Sequence, residues 1–116
     1  MIRAAILGGT GYGGMELLRY LVGHPEVELT AVTSRSQSGL VAGRWPQLAG
    51  HTDVAFTDDT EATRRLIAAS ADVLFSAKPH GIAAGELPPL LAAEPELRVI
   101  DLSGDFRLPD ASAYDA

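Results

Sequence analysis

The chain has 116 residues, with nine Lys and Arg against fifteen Asp and Glu, a formal net charge of −6 and no cysteine. The length suits one domain with one core. The acidic balance disfavours nucleic-acid binding, which needs a basic surface, and the lack of cysteine excludes disulfides and cysteine-based zinc sites. No apolar run approaches the roughly 18 residues of a membrane helix, and the run before Gly8 is too short for a signal peptide. We therefore expect one cytoplasmic domain, residues 1–116, with no membrane, nucleic-acid or metal partner.

Short apolar runs give the predicted strands, at residues 4–7, 27–32, 54–56, 73–75 and 99–102. Continuous apolar runs of this length are typical of strands buried on both faces, as in a parallel sheet. Helical patterns alternate with these runs, which predicts an α/β domain, a Rossmann-like doubly wound parallel sheet with right-handed crossovers. Residues 36–51 lack a clear period and are predicted to form a long loop with one helical turn.

Three helices are predicted between the strands. In the first helix, Gly14, Leu18, Leu21 and Val22 stand at i, i+4, i+7 and i+8 and therefore lie on one helical face. This helix stops at Gly23. The second is expected to open with a capping box of Asp58 and Glu61. Its predicted buried face consists of Ala62, Leu66 and Ala69. The third carries Leu87, Leu90 and Leu91, and Pro88-Pro89 is expected to bend or interrupt it.

A glycine-rich stretch follows the first strand, and it reads Gly8-Gly9-Thr10-Gly11-Tyr12-Gly13-Gly14. Glycines at this position allow a tight turn, close approach of the backbone to a pyrophosphate, and close packing of helix on strand. Backbone N–H groups at the helix start attract the anion. Because the stretch lies between a buried strand and an amphipathic helix, it indicates dinucleotide binding. The alternative is a plain turn that needs glycine for a positive φ.

The end of the second strand indicates which dinucleotide is bound. NAD-binding domains usually place an acidic residue there to bind the ribose 2′-hydroxyl, whereas this chain has Thr33-Ser34-Arg35-Ser36. Serine hydroxyls and a guanidinium suit a 2′-phosphate. The sequence therefore favours NADP, with Ser34, Arg35 and Ser36 as ligands, unless Arg35 is only a solvated surface residue.

The glycine stretch together with Met15-Glu16-Leu17-Leu18-Arg19 resembles the opening of the N-acetyl-gamma-glutamyl-phosphate reductases of arginine biosynthesis. Further matching segments follow in order: residues 24–29 (His-Pro-Glu-Val-Glu-Leu), 33–36, 79–81 (Pro-His-Gly) and 99–108 (Val-Ile-Asp-Leu-Ser-Gly-Asp-Phe-Arg-Leu). The resemblance covers almost the whole chain. Aspartate-semialdehyde dehydrogenases share the glycine loop but not the last segment.

The resemblance implies NADPH-dependent reduction of a small acyl phosphate to an aldehyde with release of phosphate. In that family a cysteine nucleophile and a histidine acid/base lie in a second, C-terminal domain, and the whole enzyme is oligomeric. We therefore expect this chain to be the cofactor-binding part, without a sixth strand or the catalytic domain, and inactive by itself. Two alternatives stay open: the related lysine-biosynthesis reductase acting on a carrier-protein-bound acyl phosphate, and a stand-alone NADP-binding module.

Additional candidate residues lie near the ends of the later strands. Pro79, His80 and Ser103 are expected to contact the cofactor, although His80 could equally be a local helix-start residue. For Asp105 and Arg107 we favour a loop-fixing ion pair. Lys78 stands where the family usually has an apolar residue, and we expect its ammonium to project into water rather than contact a phosphate. Trp45 is either an adenine cover or domain contact, or a core anchor, and His24 and His51 are expected to be surface residues.

Overall fold

The structure, a computed structural model, describes residues 1–8, 12–37, 39–41, 45–50, 52–78 and 81–102. Strands and helices alternate along the chain: β1 (Ile2–Leu7), α1 (Tyr12–Val22), β2 (Val27–Thr33), β3 (Phe56–Thr57), α2 (Glu61–Ser70), β4 (Val73–Ser76), α3 (Ala83–Ala93) and β5 (Arg98–Asp101). In the described part of the long connection between β2 and β3, a 3₁₀ turn spans Pro46–Leu48. The predicted order of elements is confirmed, with strand boundaries displaced by one or two residues.

The five strands form one parallel sheet in the order β3-β2-β1-β4-β5. The chain runs outward from β1 to β3 and then returns to the other side of β1, so the strand order reverses between β1 and β4. In such sheets, ligands bind beyond the carboxyl ends of the strands at this reversal point. The topology therefore confirms the predicted doubly wound fold and places the end of β1 beside the end of β4.

Two apolar clusters cover the opposite faces of the central strand. On one face, Ala4 and Ile6 pack with Leu18 of α1 and with Val41 of the β2–β3 connection. On the other face, Ala5 and Leu7 belong to a cluster that α2 and α3 complete. These four residues of β1 are essentially inaccessible to solvent, which explains why residues 4–7 form an uninterrupted apolar run.

The helices differ from the predictions in three respects. Thr60, and not Asp58, caps α2: the Thr60 hydroxyl accepts the backbone N–H of Thr63. The predicted buried face of α2 is wrong, because Ile67 and Ala68 are the buried residues and Leu66 is 73% exposed.

Pro88-Pro89 is expected to bend or interrupt the third helix, and the interruption is wrong, because both prolines lie inside a continuous α3. Both prolines are exposed, so their rings lie on the solvent side of α3. No described helix has the length and apolar character needed to cross a membrane.

Candidate functional site at the carboxyl edge of the sheet

Gly8 ends β1 at the reversal point and turns the chain toward α1. Its φ is +79°, a conformation that side chains disfavour. A Cβ added to Gly8 would lie 3.1 Å from Cδ of Lys78 and 3.4 Å from the carbonyl oxygen of Ala77. Gly8 is therefore required here both by its backbone conformation and by the space available.

Helix α1 starts at Tyr12, has no acidic residue in its first turn and is 11 residues long. Gly13 is exposed and Gly14 is buried, and a Cβ on Gly13 would stand in ordinary contact, 3.7 Å, with Leu102 beyond β5. The end of β5 therefore lies beside the start of α1. The helix start is free of negative charge in its own first turn, as an anion-binding helix end requires.

The turn after β2 is organised by Ser34. Its side chain is buried, and its Oγ accepts the backbone N–H groups of Ser36 and Gln37 at 3.2 and 3.0 Å. Arg35 is 67% exposed and its guanidinium lies 3.6 Å from the Glu86 carboxylate. Ser36 is also exposed, so the three predicted ligands share one turn, with two side chains facing solvent.

A buried group of charges lies beneath this edge, and we call it the ion cluster: Thr33, Asp59, Arg64, Lys78 and Glu86. The Lys78 ammonium is 2.7 Å from Asp59 and 2.9 Å from Glu86. Arg64 lies 2.6 Å from Asp59 and 3.3 Å from Glu86. The Lys78 residue is only 7% exposed, so the expectation that it projects into water is wrong. Two carboxylates stabilise its charge where water would otherwise do so.

Asp59 is the centre of the ion cluster. Burial of its carboxylate opposes ionisation, but hydrogen bonds from Lys78, Thr33 and Arg64, with the nearby Lys78 charge, hold its pKa below the usual 3.8. Asp59 is therefore ionised at neutral pH. With Arg35 counted at its rim, the cluster brings three cations together with two carboxylates.

The remaining candidates fall into two groups. Trp45 packs against the apolar cluster on the α1 face, which favours the core-anchor interpretation, and exposed His24 accepts the N–H of Glu26 on Nδ1. The other candidates lie outside the described residues: Gly9, Thr10, Gly11, the side chain of Tyr12, His51, Pro79, His80, Ser103, Asp105 and Arg107. Among the residues that the structure describes, no three His, Asp or Glu side chains are grouped as a metal site.

Four residues of this edge are not predicted by the sequence patterns: Thr33, Asp59, Arg64 and Glu86. Position along the chain offered one usable signal: Thr33 ends β2, and Asp59 follows β3. Carboxyl ends of neighbouring parallel strands meet at one edge, so these two polar residues had to lie close together. Nothing local in the sequence pairs either of them with Glu86 on α3.

A doubly wound parallel sheet, a glycine at positive φ after β1 and an acid-free helix start define the class of this protein: a Rossmann-like dinucleotide-binding domain. The family described as "Semialdehyde dehydrogenase, NAD binding domain" matches residues 3–115. The chain belongs to this family.

Curated relatives are similar over nearly the whole chain. It is 51% identical over 116 residues to an N-acetyl-gamma-glutamyl-phosphate reductase of Nitrosococcus oceani, and 50% identical to those of Herminiimonas arsenicoxydans and a Janthinobacterium species. The alignments cover 99% of this chain and 32% of each relative. The chain thus spans about a third of the length of the relatives it matches.

Two solved structures share the fold. Aspartate semialdehyde dehydrogenase of Candida albicans, in complex with NADP, has a TM-score of 0.64 at 21% identity, covering 94% of this chain and 31% of the other. The dTDP-glucose 4,6-dehydratase of Bacillus anthracis, in complex with NAD, has a TM-score of 0.65 at 13% identity, covering 87% and 37%. At these identities the likeness concerns the fold.

Proposed function

We propose that this chain is the NADPH-binding part of a reductase that converts N-acetyl-γ-glutamyl phosphate into the corresponding semialdehyde with release of phosphate, a step of arginine biosynthesis. The observation that carries this proposal is the identity of about one residue in two, over 99% of the chain, with reductases of that name. Those relatives favour this activity over the lysine-pathway alternative. Their greater length favours it over a stand-alone module.

The carboxyl edge of the sheet suits the adenosine end of NADPH. The turn after β2 presents the Arg35 guanidinium and the Ser36 hydroxyl, and residues 33–37 include no acidic residue. The nearby Glu86 carboxylate is also paired with Arg64 and Lys78. Arg35 is held only at 3.6 Å by Glu86 and is mostly exposed, so it can turn toward a 2′-phosphate and bind it with charge-assisted hydrogen bonds. Ser34 shapes the turn and offers its hydroxyl proton.

The glycine loop suits the pyrophosphate. Gly8 turns the chain at the end of β1 toward α1, and the start of α1 supplies N–H groups and a favourable dipole. Gly9, Thr10, Gly11, Tyr12, Gly13 and Gly14 complete this proposed contact. Pro79, His80 and Ser103, which follow β4 and β5, are proposed to contact the nicotinamide half.

Within the reaction, NADPH supplies the hydride when it is bound. The residues of this chain bind and orient it, and none is proposed to react covalently, since the sequence contains no cysteine. The resemblance assigns the nucleophilic cysteine and the acid/base histidine to a second domain, which we propose for the part of such a protein outside residues 1–116. For the whole enzyme we propose a small-molecule substrate, a homo-oligomeric assembly and a cytoplasmic location.

The proposal is tested by titrating NADPH and NADH onto the purified chain and following nicotinamide fluorescence. We expect tighter binding of NADPH, and we expect Arg35→Ala to weaken NADPH about tenfold, the value of one charge-assisted contact at an exposed site, while NADH is unchanged. Arg98→Ala is the matched control, because Arg98 lies at the amino end of β5. Tighter NADH binding, or an Arg35→Ala variant with unchanged NADPH affinity, would contradict the cofactor assignment.

A second measurement tests whether the chain binds the cofactor without catalysing the reduction. NADPH oxidation is followed after N-acetyl-γ-glutamyl phosphate is added to the 116-residue chain alone. We expect no turnover above the uncatalysed rate. Turnover would show that the chain contains its own catalytic machinery, and it would refute the proposed role as the cofactor-binding part.

A further inference from the structure

Gly8 is held from two sides by side chains that the proposed function does not use. Its backbone N–H donates to Oγ1 of Thr33 at 3.0 Å. The stem of Lys78 occupies the side of Gly8 on which a side chain would begin, since a Cβ there would lie 3.1 Å from Lys78 Cδ. The first glycine of the loop is therefore fixed by residues from β2 and from the end of β4.

The direction of the Thr33 hydrogen bonds is determined by Asp59. The Thr33 hydroxyl donates its single proton to Oδ2 of Asp59, at 2.5 Å. Its oxygen is then oriented to accept the Gly8 N–H. Thr33 is fully buried and so is the Asp59 side chain, so no water competes for these groups.

Lys78 is immobilised by the same carboxylate. Its ammonium lies 2.7 Å from Oδ2 of Asp59 and 2.9 Å from Glu86, and its side chain is 4% exposed. With its charge directed at these carboxylates, Lys78 presents its methylene stem to Gly8. Asp59 thus orients the two side chains, Thr33 and Lys78, that lie against Gly8.

We propose that Thr33, Asp59 and Lys78 are positioning residues that set the place and orientation of Gly8, and through it the affinity of the loop for the pyrophosphate of a dinucleotide. The inference rests on the proposed function, since it concerns how the loop binds NADPH. It differs from the role of Arg35 in one measurable way. NADPH and NADH both contain the pyrophosphate, so loss of positioning weakens both by the same factor.

The test uses Thr33→Val, which removes the hydroxyl but keeps the side-chain shape, and Lys78→Met, which keeps most of the stem but removes the charge. Dissociation constants are measured for NADPH, NADH and adenosine 2′-monophosphate, which has the 2′-phosphate but no pyrophosphate. We expect each variant to bind both dinucleotides about tenfold more weakly, as loss of one buried hydrogen bond implies. Affinity for adenosine 2′-monophosphate should stay within about twofold, and Thr33→Ser and Lys78→Arg should restore dinucleotide binding.

The outcomes separate positioning from a general structural role. A folded Thr33→Val with unchanged NADPH affinity, or an equal loss for adenosine 2′-monophosphate, would overturn the inference. Lys78→Met removes one cation from the buried Asp59 carboxylate and could prevent folding. In that case the dissociation constants of Thr33→Val alone test the inference. A wild-type chain that binds no dinucleotide would instead refute the proposed function, so the two failures are distinguishable.

Discussion

Replacing Gly8 by alanine tests whether conformation and packing both demand glycine at the end of β1. Gly50 provides the matched control, because its φ of +81° is nearly the same as the +79° of Gly8, and a Cβ on Gly50 meets no described atom within 4 Å. Gly50→Ala therefore measures the conformational cost alone. Gly8→Ala adds the contact at 3.1 Å with Lys78 Cδ.

The magnitudes follow from these two terms. The left-handed conformation costs about 1–2 kcal/mol for alanine, and the stiffer unfolded chain returns about 0.4–1 kcal/mol. We expect Gly50→Ala to lower the free energy of unfolding by about 0.5–1 kcal/mol. Lys78 cannot move aside freely, since two carboxylates hold its ammonium, so Gly8→Ala should lose about 1–2 kcal/mol more through overpacking.

Thermal unfolding followed by circular dichroism checks this expectation. A domain of this size loses about 4 °C of Tm per kcal/mol, which gives a fall of about 3 °C for Gly50→Ala and about 10 °C for Gly8→Ala. Equal falls would refute the argument that Lys78 restricts the space beside Gly8. A rise in Tm for Gly50→Ala would refute the expected cost of placing alanine in the left-handed conformation.

Three further predictions concern α2, the core and acid. Thr60→Ala should lower the free energy of unfolding by about 1 kcal/mol in urea, because it removes the α2 cap; Thr60→Ser, which keeps the hydroxyl, should lose much less. Leu18→Ala should cost about 2–5 kcal/mol, since Leu18 is fully buried, whereas Leu66→Ala at the exposed position should change stability by less than about 0.5 kcal/mol. Because the pKa of Asp59 is lowered by folding, its ionised form stabilises the chain fully above about pH 3.8, and that contribution is lost as the pH falls through the folded-state pKa. Urea titrations across pH should therefore show a gap between wild type and Asp59→Asn that is constant at neutral pH and narrows below about pH 4.

Each of these has an outcome that would contradict it. Equal urea midpoints for Thr60→Ala and Thr60→Ser would show that the cap hydroxyl contributes nothing. If Leu66→Ala lowers the free energy of unfolding as much as Leu18→Ala does, the buried face of α2 predicted from the sequence would be correct after all. A gap between wild type and Asp59→Asn that persists unchanged at low pH would mean that Asp59 is not ionised in the folded state.

The order of strands and helices could be predicted because its signals are local. The apolar run of β1 is continuous since both faces of the strand are buried, and the face of α1 with Leu18 shows the helical period in the sequence itself. The same reasoning failed on α2, because its inner face also carries Arg64. A paired arginine on the buried side breaks the apolar pattern, and exposed Leu66 then appeared to belong to the core.

The site was only partly predictable for a related reason. The glycines and Arg35 could be predicted as cofactor ligands from the sequence alone, because each follows directly after a predicted strand. The environment of Lys78 depends on Asp59 and Glu86, which come from other elements, and ion pairing overturned the usual preference of lysine for solvent. Whether a charged side chain is buried depends on partners such as these, and the spacing of residues within one helix or strand does not identify them.

The ion cluster also has a kinetic consequence. Hydrogen bonds within the cluster and from it to Gly8 join positions far apart in sequence, 26 residues between Thr33 and Asp59 and 25 between Thr33 and Gly8. Such contacts form only after the loops between them close, late in folding. Interactions absent from the folding transition state act mainly on the unfolding rate. The residues beneath the glycine loop should therefore prolong the lifetime of the folded edge, making the binding surface slow to open once it has formed.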